Sequence, residues 1–319
     1  MDKNTTAILY LVIPCFNEDE VLHKTAKYLE DMYLVLIRAG KISENSRICF
    51  VNDGSTDHTW DIIQELHRQN VIFSGINLSC NRGHQNALLA GLMTVRDCAD
   101  IVISMDADLQ DDIHACEEMI EKYYQGCDVV YGVRRKRKQD TFFKRFSAEM
   151  FYRLMNWMGA KTIYNHADYR LLSRRALASL SEYKEVHLYL RGIIPLIGYK
   201  SDVVYYERAK RIAGKSKYSL KKMAGLALDG ITSFSIKPIR IIEFLGLLIF
   251  MISMVLFLYL VTGDSGKVTD IHWILIIVSI WNVGGLMLIG LGVIGEYIGK
   301  IYFETKGRPR YIVEQFLDG

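Results

Sequence analysis

The cysteines of this chain stop at Cys127, and none of the six (Cys15, Cys49, Cys80, Cys98, Cys116, Cys127) stands in a Cys-x-x-Cys pair. That argues against a zinc ribbon and a disulfide frame, and reads as reduced thiols in or near the core of a cytosolic domain. Charge of one sign is also lacking: 39 Lys and Arg face 36 Asp and Glu, a net +3. So small an excess gives no case for a nucleic-acid partner, and no zinc finger, helix-turn-helix or aromatic RNA-binding signature appears. The N-terminus, MDKNTTAILYLVIP, lacks the long apolar core and small-residue cleavage site of a signal peptide.

Long uncharged runs are missing until late in the chain, where residues 244–261 and 274–294 each carry no charged side chain. Both are near the length that spans a bilayer, and they come as a pair. Lys237 and Arg240 precede the first, and Lys300, Lys306, Arg308 and Arg310 follow the second. The link, Thr262 to His272, sets Lys267 against Asp264 and Asp270. Counting positive charge places both termini in the cytoplasm and the link outside, so the expectation is a multi-pass protein of the cell membrane. The expected domains are a cytosolic catalytic domain over residues 1–218, an interfacial amphipathic segment over 219–238, a transmembrane hairpin over 239–296 and a cytosolic tail over 297–319.

The first half alternates apolar strands with amphipathic helices. Strands are expected at Ala7–Ile13, Arg47–Asn52, Val71–Leu78, from Ile101 and at Asp128–Val133, with helices at Glu18–Ala39 and Ala87–Arg96 among them. Such alternation implies right-handed crossovers and an α/β fold with a mostly parallel sheet. Polar motifs follow three of these strands, at Asn17-Glu18, Asp53 and Asp106, so they converge on the carboxyl edge, where such sheets bind ligands.

The most informative stretch is Ile101 to Asp112, IVISMDADLQDD, an apolar strand that turns abruptly into carboxylates. Asp106 and Asp108 are two apart, so an extended chain points them the same way. Two hard oxygen donors side by side suit Mg²⁺ or Mn²⁺, which bridges nucleotide phosphates. An Asp-x-Asp alone is a weak signal. Its place at a strand end strengthens it.

Taken in order, IPCFNE, VNDGSTD, NRGHQNAL and MDADLQDD resemble a family 2 glycosyltransferase with the GT-A (Rossmann-like) fold. With the C-terminal apolar pair, the chain is most similar to the polyprenyl-phosphate glycosyltransferases, such as bactoprenol glucosyltransferases and dolichol-phosphate mannose synthase. The resemblance implies that Pro14, Phe16, Glu18, Asp53, Asp106, Ala107, Arg134, Arg211, Lys215 and Lys217 hold the nucleotide sugar. It implies Asp106, Asp108 and Gln110 around the metal, and Asp168, Asp108 and Arg170 at the reaction centre. Asp112 stands where a proline is common after this acidic motif, which is expected to shift the helix start and leave the ligand atoms in place. His84 and Gln85 either face the donor or order their loop.

Arg134 to Lys138 form a charge run. Residues 141–159 mix Phe142, Phe143, Phe146 and Trp157 with Lys144, Arg145 and Arg153, as an interfacial helix would. Arg211 to Tyr218 resembles a mobile cationic loop that closes over a diphosphate, and residues 219–236 form a second amphipathic stretch. The implied partners are a UDP-sugar, polyprenyl phosphate and the membrane, with homo-oligomerisation left open. The implied reaction is inverting hexosyl transfer, with UDP-glucose and undecaprenyl phosphate favoured. A processive polysaccharide synthase would need a Gln-x-x-Arg-Trp element, where this chain has Leu188-Tyr189-Leu190-Arg191-Gly192. A non-enzymatic scaffold or flippase partner would not need the acidic motif.

Overall fold

The computed structural model describes residues 6–135, 166–185, 190–207, 237–262 and 271–318. Lys136 to Lys138, the stretches 141–159 and 219–236, and Arg211, Lys215 and Lys217 lie outside the described residues. The chain divides into two units. The first holds the described residues up to 207 and from 308 on, and the second holds the remaining described residues, from 237 to 307.

The first unit runs β1 (Leu9–Cys15), α1 (Asp19–Arg38), β2 (Arg47–Asn52), α2 (Thr59–Gln69), β3 (Phe73–Leu78), α3 (His84–Thr94), β4 (Ile101–Ser104), α4 (Ala115–Tyr124) and β5 (Val129–Arg134). The five expected strands are all there. Then come β6 (His166–Ser173), α5 (Arg174–Ser181), the short helix α6 (Leu190–Ile193), a 3₁₀ turn and β7 (Ser201–Tyr206). The second unit contributes α7 (Lys237–Thr262) and α8 (Ile271–Lys306), after which β8 (Val313–Leu317) returns to the first.

One eight-stranded sheet results, in the order β7-β5-β6-β4-β1-β2-β3-β8. The strands β4, β1, β2 and β3 are parallel neighbours, with Val12 opposite both Cys49 and Ser104. Their side chains are buried on both faces, which suits the apolar runs that helices must cover. On one face, α1 buries Leu22, Ala26, Leu29, Tyr33 and Leu36, each leucine contributing about 1.5–3 kcal/mol. On α3, Gly91 allows an approach that a larger residue would block. A Cβ there would stand 2.4 Å from Val12 Cγ1 and 2.8 Å from Val51 Cγ2.

Three strands were not anticipated. β6 runs antiparallel between β4 and β5, with Ser104 opposite Arg170 and Tyr131 opposite Arg170 on the other side. β7 pairs parallel with β5, and β8 pairs antiparallel with β3. The last of these changes the picture of residues 297–319: α8 runs on to Lys306, and Val313–Leu317 is an edge strand of the sheet. Arg310 donates to the Tyr183 carbonyl at 2.6 Å, Asn77 donates to Glu314 at 2.9 Å, and the Tyr10 hydroxyl donates to Asp318 at 3.3 Å.

The long apolar runs are both helical, inside α7 and α8. Among the described residues one stretch, Val283–Lys306, is long and apolar enough to cross a membrane, and it extends past the expected end at 294. Phe244, Leu247, Val255, Leu288 and Ile289 are well exposed. All six cysteines are free thiols. Four are buried, but Cys80 is exposed, away from the expected core.

Candidate active site

Because β4, β1 and β2 are parallel neighbours, the loops that follow them share one edge of the sheet. The loop after β1 is laced to the loop after β2. The Asn17 N–H donates to Ser55 Oγ at 3.0 Å, the Glu18 N–H to Thr59 Oγ1 at 2.9 Å, and the Thr56 N–H to Asn17 Oδ1 at 2.9 Å. Asn17 takes a positive φ of 54°, and so does Leu109 (50°) in the acidic loop. These two strained non-glycine residues both sit at this edge, where stored strain commonly marks function. Pro14 lies within β1 opposite Val51, buried, while Phe16 just beyond it is exposed.

Asp53 is buried, and both its carboxylate oxygens are taken. Oδ1 accepts the Arg82 N–H at 2.7 Å and Oδ2 accepts the Gly83 N–H at 2.9 Å. Burial pushes its pKa up against those two bonds. In this arrangement Asp53 ties the loop after β3 in place. That loop is also held close at Gly54 (φ +61°), where a Cβ would meet the Asn81 nitrogen at 2.5 Å. Helix α3 then begins three residues earlier than expected, so His84 and Gln85 occupy its first turn.

In the acidic loop, Asp106 and Asp108 are partly exposed on either side of buried Ala107, whose carbonyl accepts from Thr25 Oγ1 at 2.9 Å. Asp108 accepts the Gln110 N–H at 3.2 Å, and Asp112 accepts the His114 N–H at 3.0 Å, a local turn that delays α4 to Ala115. Burial raises the Asp106 pKa against the pull of His84, with Asp111, Asp168 and Asp108 adding to the rise. Asp111 is buried. Its Oδ1 accepts from Arg134 Nη2 at 3.3 Å and from the Tyr206 hydroxyl at 2.5 Å, so the ends of β5 and β7 are pinned to the acidic loop. Arg134, expected at the donor, makes this contact.

Asp168 gathers the rest. It is 6% exposed, and Arg170 beside it on β6 is 1% exposed and ion-paired to its Oδ1. Arg191 of α6 forks onto the same carboxylate, Nε to Oδ1 at 3.2 Å and Nη2 to Oδ2 at 2.9 Å. His84 Nε2 stands 3.5 Å from Asp168 Oδ2 and 3.8 Å from Asp106 Oδ1, joining the two carboxylates. Gln85 Nε2 also reaches Asp168 Oδ2 at 3.5 Å, and its Oε1 accepts the Leu190 N–H at 3.2 Å. Burial alone would raise the Asp168 pKa, but Arg191, His84 and Arg170 outweigh it and hold the carboxyl well below its usual range. Burial lowers the His84 pKa, yet Asp168 and Asp106 outweigh that, and the net direction is up.

The structure thus brings Asp106 and Asp168 together through His84, with Arg170 paired directly to Asp168. Arg191 and Asp111 are additions that motif reading missed. The signal for Arg191 was a single cation inside the apolar run Leu190 to Ile194. The donor chemistry fits a divalent cation only in part. Asp106 and Asp108 are hard oxygen ligands, but among the described residues no three His, Cys, Asp or Glu side chains gather into a metal cage. A cation here would draw further oxygens from a substrate.

The comparisons agree on the family. The family model described as "Glycosyl transferase family 2" matches residues 10–181. The chain is 50% identical to "Uncharacterized glycosyltransferase YkoT" of Bacillus subtilis (strain 168), over 98% of this chain and 93% of that one. It is 38% identical to "Bactoprenol glucosyl transferase" of Shigella phage SfX, over 95% of this chain and 98% of that one. Among solved structures, mannosyl-3-phosphoglycerate synthase from Rubrobacter xylanophilus matches 70% of this chain and 71% of its own, with 14% identity and a TM-score of 0.48. On the family match and the near full-length likeness to these relatives, the chain belongs to glycosyl transferase family 2.

Proposed function

We propose that this protein is a membrane-bound inverting glycosyltransferase of GT-A type that moves a hexose, glucose from UDP-glucose as the favoured donor, onto polyprenyl (undecaprenyl) phosphate. The observation that carries the reading is the continuous link Asp106–His84–Asp168, which joins a metal-type carboxylate to a buried anionic hub ringed by cations. Near full-length likeness to proteins named bactoprenol glucosyl transferase supports the choice of acceptor and sugar.

Asp106 and Asp108, with Gln110 beside them, would hold Mg²⁺ or Mn²⁺, whose charge would offset that of the leaving diphosphate. Exposed Phe16 offers a face for the base, with Glu18 at its side. Asp53 would meet the nucleotide only by exchanging its bonds to Arg82 and Gly83. Arg211, Lys215 and Lys217 would add positive charge at the diphosphate. The acceptor phosphate is an anion at neutral pH and needs orientation and desolvation more than a general base. A carboxyl held as low as that of Asp168 is a poor base and a good organiser of cations, which fits the same scheme. In-line attack on the anomeric carbon would then invert its configuration.

The sheet also bears on topology. The chain leaves the first unit before α7 and returns after α8 to pair β8 with β3. A sheet lies on one side of a bilayer, so the intervening segment would cross it an even number of times. That supports spans over 244–261 and 274–294 within the hairpin 239–296, with both termini beside the cytosolic domain 1–218.

The test is transfer from a panel of radiolabelled nucleotide sugars to undecaprenyl phosphate in detergent with Mn²⁺ or Mg²⁺. A butanol-extractable labelled product, lost with EDTA and with Asp108→Ala, is expected. Absence of any lipid product alongside measurable UDP binding would point to another acceptor or to a non-enzymatic role.

A further inference from the structure

The Asp168 carboxylate is gripped by two guanidinium groups that differ in one respect. Arg170 is 1% exposed and belongs to the interior, whereas the Arg191 side chain is 35% exposed. The contacts run in the order Asp106, His84, Asp168, Arg191, so Arg191 stands three contacts away from the metal-type carboxylate. An attacking anion must approach the anomeric carbon opposite the departing diphosphate, and the diphosphate belongs at the Asp106 end. The planar fork of Arg191 is held in orientation by two bonds to Asp168, and its helix is tied to α3 through Gln85 and the Leu190 N–H. A guanidinium held this way is preorganised to meet a phosphate.

We propose that Arg191 contacts the phosphate of the lipid acceptor, with Gln85 as its positioning residue, an inference that rests on the acceptor being a polyprenyl phosphate. Arg170, expected at the reaction centre, is ion-paired in the interior to Asp168.

The experiment titrates wild type, Arg191→Lys, Arg191→Ala and Gln85→Ala in detergent with farnesyl phosphate, farnesol and, separately, UDP, and measures transfer kinetics on the same preparations. Arg191→Lys is expected to weaken farnesyl phosphate binding and raise the acceptor KM by about tenfold or more, since a charged bidentate contact becomes a point charge. Farnesol and UDP binding stay within about twofold of wild type, because neither meets this group in the proposed geometry. Gln85→Ala moves the acceptor KM in the same direction by a smaller factor, and added guanidinium partly restores Arg191→Ala. Unchanged farnesyl phosphate binding in Arg191→Lys overturns the assignment, as does a parallel loss of UDP binding. Should the arginine variants fail to fold, a Gln85→Ala acceptor KM equal to wild type overturns it too. Wild-type transfer to polyprenyl phosphate is the separate control: if it is absent, the functional reading fails rather than this one.

Discussion

Asp106 follows β4 and Asp168 lies on β6, the antiparallel neighbour of β4, and the two carboxylates share a contact with His84. Their situations are opposite. Asp106 is 32% exposed in its side chain, has acidic neighbours, and its pKa is raised by burial and by them. Asp168 is nearly sealed, carries two guanidinium partners, and its pKa is driven down. In the acidic loop Asp111 is paired with Arg134 and Asp106 stands near His84, while Asp168 is held directly by two arginines. One residue type thus meets opposite surroundings, according to what the neighbouring strands bring.

The largest expected effect separates the two by stability. Asp168→Ala should leave Arg170 buried beside an empty site and cost about 3–5 kcal/mol, read by denaturant unfolding. A loss below about 1 kcal/mol, the range of exposed pairs, would show that the hub is not structural. Asp108→Ala should do the reverse. Transfer should fall by about 10²–10³-fold, as when a single group stabilising transition-state charge is lost, with the unfolding midpoint nearly unchanged. Equal damage to folding would erase the contrast.

Added Mn²⁺ sharpens the comparison further. With UDP present and Mn²⁺ at about 100 times its Kd, wild type should gain about 2.7 kcal/mol of stability, and Asp106→Ala should gain none. Without nucleotide the gain should shrink, because among the described residues no three ligating side chains gather to hold the ion alone. Calorimetry showing the same gain in Asp106→Ala would remove the acidic loop as the metal site.

The smallest effect is in the acid limb. The folded-state pKa of Asp168 lies below its unfolded value, so its stabilisation is complete above the unfolded pKa of about 3.9 and is lost as pH falls through the folded value. The stability difference between wild type and Asp168→Asn should therefore be flat near neutrality and narrow on acidification. A gap that instead widens as pH falls would mean that the Asp168 pKa is raised.

Much of this was legible in the linear chain. Strand-helix alternation through residue 134 depends on local periodicity, so five parallel-type strands and the loops after them could be read directly. The Asp-x-Asp pair was legible because an abrupt change from β-branched to acidic residues marks a strand end. His166 to Ser173 was less so: its alternation is broken by the charged pair Asp168 and Arg170, whose burial depends on partners from distant segments. The role of Asp53 was open as well, since its two bonds reach residues 82 and 83, about thirty positions on.

By itself, then, the sequence determined the α/β class, the order of the motifs, the carboxylates at the sheet edge and the two late apolar helices, because each follows from short-range pattern. Only tertiary structure decided that β6 inserts antiparallel beside β4, that Arg191 rather than Arg170 is the partly exposed arginine beside Asp168, and that Val313–Leu317 closes the far edge of the sheet. Those outcomes depend on pairing between distant segments, where burial and charge neutralisation are settled by neighbours that no local window contains.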